Sequence, residues 1–220
     1  MTVSAKRNSV VKALAALAAL VPILAAGPAA AHPHAWIDLV SHVGFDAQGR
    51  ITGIVEEWLF DEFYTAFIID GIDAEPKARQ AALERLARTN LDNLREHGYF
   101  TDFRIDDRRV AVGEVGEVET ALRDRRLWMR FTVPLAEPIP VRGQWIGYAV
   151  YDPSYFVEML HVEGFAPTLK TPPGLSCTAS LTSPSPSPET RRLAFALDRT
   201  QNAGDSLGVH FAEWVTLKCE

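Results

Sequence analysis

Two of the six histidines in this 220-residue chain, His32 and His34, stand two residues apart directly after the small residues Ala29, Ala30 and Ala31. A cut after Ala31 would give His32 a free α-amine. That amine and the His32 ring can chelate one metal ion, and the His34 imidazole can add a third ligand. The usual X-X-His copper and nickel site also needs the amide nitrogen of residue two to lose a proton, and Pro33 has none to lose. An amine-plus-imidazole brace is therefore the expected form. Imidazole suits zinc, copper and nickel, so these ligands do not select the metal.

Asp38 and His42 follow at even spacing from His34. On a strand all three point to one side of the sheet, with neighbours at spacing two about 7 Å apart, so a metal there needs help from another element. Asp152 opens the turn Asp152-Pro153-Ser154-Tyr155-Phe156, with His161 and Glu163 just beyond. This stretch reads either as a structural turn with aromatic packing or as a loop whose Asp152 and His161 complete a metal or binding site. The candidate metal set is thus His32, His34, Asp38, His42, Asp152 and His161. In the acidic run Glu56, Glu57, Asp61 and Glu62, the two adjacent glutamates face opposite ways on a strand, so only one can join a common site. Asp73, Glu75 and Glu84 match positions one, three and twelve of a calcium loop, but Ala78 holds the place of the required glycine and Lys77 sits at position five, which excludes a working loop. His97 is expected at a helix end and His210 in a strand. No nucleophile motif, Gly-rich phosphate loop or His-Glu-x-x-His is present, so an enzyme is not the expectation.

The elements that position these residues begin with an export signal. Lys6, Arg7 and Lys12 precede the apolar run Ala13 to Ala26, and small residues follow. That run of about 14 residues is shorter than the roughly 20 needed to span a bilayer. Residues 1–31 are therefore expected to be removed, leaving 32–220 as one periplasmic domain that does not span the membrane. The whole chain carries a net charge of -6, and the signal takes basic residues only, so the remainder is more acidic still and nucleic acid is an improbable partner. Cys177 and Cys219 are the two cysteines. An oxidising compartment favours their pairing, which closes a loop of about 43 residues worth up to ~4 kcal/mol.

Alternation over His34 to Val43 puts Ala35, Ile37, Leu39 and Val43 on one face, and Arg50 to Phe60 reads as its hairpin partner. Asp61 can cap a short helix to Ile69, and a long helix runs from Pro76 to a stop at Gly98. Short strands are expected over 99–105, 109–115, 127–133, 145–151, 156–162, 175–181 and 209–218. A Ser/Pro spacer at 183–188 is a possible sub-boundary and precedes a helix over 189–199. The fold class is α+β and β-rich, with antiparallel, sandwich-like sheets, one long inserted helix and a short C-terminal helix.

The segments Ala31-His32-Pro33-His34-Ala35-Trp36-Ile37-Asp38, Phe60-Asp61-Glu62, His97-Gly98-Tyr99-Phe100 and Tyr151-Asp152-Pro153-Ser154-Tyr155-Phe156-Val157 together resemble an uncharacterised bacterial periplasmic family, a domain of unknown function labelled as the periplasmic component of an uncharacterised ABC-type transport system. Members tend to be encoded beside nickel and cobalt permeases or exporters, and some are tied to zinc supply. The resemblance implies an accessory role in handling nickel, cobalt or zinc, with an inner-membrane metal transporter as partner and a divalent ion as cargo. Many relatives carry an Asp-rich calcium-like loop between the two helices, from which this chain departs at Asp73 to Glu84. A chain of this length also lacks the two large lobes of ordinary solute-binding proteins. Two other expectations stand beside this one: a non-catalytic β-rich module that docks on a transporter or envelope partner, and a copper enzyme using an N-terminal histidine brace.

Overall fold

Eleven alternating residues after His34 set the frame. The computed structural model describes residues 33–72, 75–167, 169–197, 204 and 206–220. The expected signal, His32 and Asp73 lie outside the described residues. Strand β1 (Ala35–Phe45) buries Ala35, Ile37, Leu39, Ser41 and Val43 and turns the intervening side chains outward. It pairs antiparallel with β2 (Arg50–Phe60) through a turn in which Asp46 Oδ1 accepts from the amides of Gln48 and Arg50.

Two helices follow. The first, α1 (Glu62–Ile69), is capped by Asp61, whose Oδ1 accepts from Tyr64 N at 2.8 Å. The second, α2 (Pro76–Leu94), starts with proline in its first turn and buries Leu83, Ala87 and Leu91 toward the strand Val118–Arg123. A 3-10 segment (Arg95–Phe100) carries the chain past Gly98 into β3 (Thr101–Ile105). Strands β4 (Arg108–Arg109), β5 (Val118–Arg123), β6 (Arg126–Pro140), β7 (Ile146–Val150), β8 (Val157–His161), β9 (Cys177–Thr182) and β10 (Trp214–Cys219) complete the sheets, with α3 (Pro188–Ala196) between β9 and β10.

One sheet runs β5-β6-β2-β1-β8 and the other β4-β3-β7-β10-β9. The expected antiparallel arrangement holds except where β8 joins β1 in parallel. Ile37, Leu39, Ile54, Trp58, Met129 and Phe131 of the first sheet share one core with Phe103, Ile146, Tyr148, Val215 and Leu217 of the second. This is the expected β-rich sandwich with one long helix and a short C-terminal one. Gly53 is required where β2 meets β6, because a Cβ there would lie 2.5 Å from the Val133 carbonyl.

Three local expectations are corrected. The strand over 109–115 reduces to Arg108–Arg109 and a single bridge between Val112 and Leu135, next to Pro134, which has no N–H to extend a ladder. The long helix ends at Leu94 and not at Gly98. The last strand is shorter than expected, because a 3-10 turn (Gly208–Phe211) that includes His210 occupies its start. Cys177 and Cys219 face each other across β9 and β10 and form a disulfide.

Candidate functional site

The candidate metal residues take separate positions. His34 precedes β1; its amide donates to Phe156 O at 2.8 Å and its ring lies 4.6 Å from that of Phe156. Asp38 is outward on β1 and paired with Arg126 at 2.8 Å. His42, also outward, lines a depression of about 320 Å³ with Val55, Arg130 and Lys170. Asp152 is buried and holds its own turn: Oδ1 accepts from Ser154 N and Oγ at 2.9 and 2.8 Å, and Oδ2 from Val157 N at 3.0 Å. That is its turn reading. Gly208 packs so closely on this turn that any side chain would strike the Asp152 carbonyl.

His161 is opposite Leu39 in the parallel β1–β8 pair, five residues along from His34 and so roughly 16 Å away. Among the described residues no three His, Cys, Asp or Glu side chains are grouped so as to hold a metal ion.

Both ring nitrogens of His161 are engaged inside the sandwich. Nδ1 lies 2.9 Å from Glu213 Oε2, which also accepts from the His161 amide at 2.7 Å. Nε2 lies 2.8 Å from Ser41 Oγ, and that oxygen lies 2.8 Å from Tyr148 Oη. Burial raises the Glu213 carboxyl, but the hydrogen bonds and charge of His161 outweigh it and leave the group below its ordinary value. The His161 ring, Ser41 Oγ and Tyr148 Oη thus form one unbroken series of hydrogen bonds that ends on the Glu213 carboxyl. Burial pushes the Tyr148 phenol up.

Serine, imidazole and carboxylate in this order have the hydrogen-bond geometry of a nucleophile, base and orienting acid. Ser41, however, is 1% exposed and faces the core. In this arrangement the chain is a buried polar relay that fixes β1, β7, β8 and the segment before β10 in one register.

Beside it, Glu56 pairs across the strands with Ser41 and is wholly buried. Thr101 Oγ1 donates to its Oε1 at 2.7 Å and Trp58 Nε1 to its Oε2 at 2.8 Å. Burial lifts the Glu56 carboxyl to about 7, against the lowering effect of those two donors. Glu57 faces outward to Trp128 Nε1, as the alternation of the strand requires. The relay residues Ser41, Tyr148 and Glu213 were not among those singled out in the sequence. Ser41 was findable, since it occupies a core-face position in the series Ala35, Ile37, Leu39, Val43.

Two of the quoted motifs meet at a cleft of about 530 Å³, lined by Arg95, His97, Thr101, Arg109 and Tyr151 among others. Tyr151 N donates to Phe100 O at 2.9 Å, and Tyr151 Oη donates to buried Asp102 at 3.1 Å. Asp102 is also held by Arg104 at 2.7 Å. Tyr99 and Phe100 take left-handed φ angles of 55° and 62° here, a conformation that non-glycine residues rarely adopt.

Fold and site together define a disulfide-closed two-sheet sandwich with a polar relay in its core. Residues 17–219 match the family model described as "Protein of unknown function (DUF1007)", and the chain belongs to that family. It is 26% identical over 194 residues to an uncharacterized protein of Haemophilus influenzae, covering 86% of this chain and 92% of that one. It is also 28% identical over 103 residues to an uncharacterized 15.5 kDa protein of Spirochaeta aurantia, covering 47% of this chain and 73% of the relative. No solved structure matches significantly. Among the described residues no helix is long and apolar enough to cross a membrane.

Proposed function

We propose that this protein is an exported accessory in divalent-metal handling, working beside an inner-membrane transporter of nickel, cobalt or zinc and holding the ion at its processed N-terminus through His32 and His34. The observation that carries the reading is the anchoring of His34. Its amide and ring are both held against Phe156, so a metal brace just ahead of β1 would have a defined anchor in the fold. Asp38, Asp152 and His161 have partners within the fold and are not required as ligands. Isothermal titration should give one ion per processed chain, bound at least tenfold more weakly when one extra residue precedes His32. Equal and negligible binding by both proteins would overturn the reading.

The engagement of those same three residues favours a second reading, in which the protein is a non-catalytic module docking on the transporter with His34 and Trp36 as contacts. Capture of the transporter that is indifferent to chelator is its signature.

A further inference from the structure

The cleft beside the 3-10 segment and β4 holds two opposite charges that the fold does not use. Glu96, in the 3-10 segment, and Arg109, at the end of β4, both line it and both are exposed. Among the described residues Glu96 has no hydrogen bond or ion pair, and Arg109 has only Asp102 within ion-pair range, at 3.5 Å. Asp102 is already matched: Arg104 Nε and Nη2 donate to its two oxygens at 3.1 and 2.7 Å, and Tyr151 Oη donates as well. The Arg109 guanidinium is therefore surplus to the cluster beneath it, with N–H donors open to another acceptor. Arg95, the other arginine of the cleft, is compensated by Glu114 at 2.6 Å and Asp92 at 3.0 Å.

The walls of the cleft are tied in place. The Arg95–Glu114 pair and a bond from Val115 N to Tyr99 Oη at 3.1 Å join the 3-10 segment to the loop after β4. Tyr151 is held to Phe100 and Asp102 as described above. Gly98, Tyr99 and Phe100 take left-handed φ angles in succession, a costly run of backbone that these ties maintain. A ligand would meet a site already formed, which lowers the cost of binding. A volume of about 530 Å³ is ample for a small molecule, and Val110, Val112 and Pro153 give the cleft apolar surface.

We propose that this cleft binds a small zwitterion, a free amino acid or a dipeptide, with its carboxylate on Arg109, its ammonium at Glu96 and an apolar side chain against Val110, Val112 and Pro153. The planar guanidinium suits a carboxylate, which it can hold through two parallel bonds. An inorganic anion would use Arg109 and be repelled by Glu96, and a metal cation would do the reverse. A ligand with both charges satisfies both residues.

The proposal is independent of the N-terminal metal site, so the two titrations fail separately. Isothermal titration of the processed protein with leucine and with glycyl-leucine tests it. At least one should bind saturably, and its N-acetylated and its C-amidated analogues should each bind at least tenfold more weakly. Arg109→Gln should erase the preference for a free carboxylate over the amide, and Glu96→Gln the preference for a free amine over the acetylated form. Both side chains are exposed, so neither change should shift the urea midpoint, and the two analogues test the unaltered protein in any case. No saturable binding of either compound by about 10 mM would overturn the proposal. So would affinity that survives loss of either charge on the ligand, or inorganic phosphate binding as tightly, because the cleft would then be a simple ion site.

Discussion

The interior between the sheets and the outer stripe of α1 reverse the ordinary distribution of side chains. Ser41, Glu56, Tyr148 and His161 are polar and buried, whereas Phe63 and Phe67 are apolar and exposed. Inside, every buried polar side-chain atom of the relay has a hydrogen-bond partner, so the polar groups specify one register at little net cost. Outside, the rings stand in solvent among the described residues. The two departures therefore differ in kind: one is met by the chain's own partners, the other by water.

Substitutions can break or sharpen that contrast. The largest effect is expected from His161→Ala, which opens a cavity in the core, takes the ring partner from Ser41 and leaves Glu213 with only the backbone amide of residue 161. A loss of about 3–5 kcal/mol, read from urea unfolding, is the expected size. Next is Glu56. Its carboxyl titrates near 7 when folded, against 4.5 as the ordinary value, so the folded protein binds the proton more tightly. The stability linked to this group is complete below about pH 4.5, declines as pH rises and levels off above about 7, an overall fall of about 3 kcal/mol. Glu56→Gln should flatten that part of the pH profile; an unchanged slope would show that the carboxyl does not titrate there. Ser41→Ala removes the link between Tyr148 and His161 and should cost about 1–3 kcal/mol. Smallest of all, Phe63→Ser with Phe67→Ser should move stability by no more than about 0.5 kcal/mol per site. A large loss there would mean that the rings support the fold and would erase the contrast.

The same contrast explains what the sequence disclosed. The opening hairpin, α1 with its Asp61 cap and α2 with Pro76 were legible because alternation, caps and proline act locally. Strand β5 was not: only Val118 and Thr120 of its six residues are buried, and it lies at a sheet edge, so it has little hydrophobic pattern to read. The opposite facing of Glu56 and Glu57 was legible from the strand period, but the full burial of Glu56 depends on the second sheet closing over it. The relay joins residues more than a hundred positions apart, Ser41 to Tyr148 and His161, and only tertiary pairing brings them together. Asp152 shows the limit from the other side. Its sequence context suited both a turn and a ligand, and three hydrogen bonds within its own turn are what the fold makes of it.

The bond between Cys177 and Cys219 encloses the Ser/Pro run at 183–188 and helix α3 in a covalent ring. A protease that severs the backbone once inside that ring opens it without releasing a fragment. Clipped molecules would therefore keep β9 and β10 attached and migrate as one species until a reductant separates the pieces, so damage in this stretch would go unseen on a non-reducing gel.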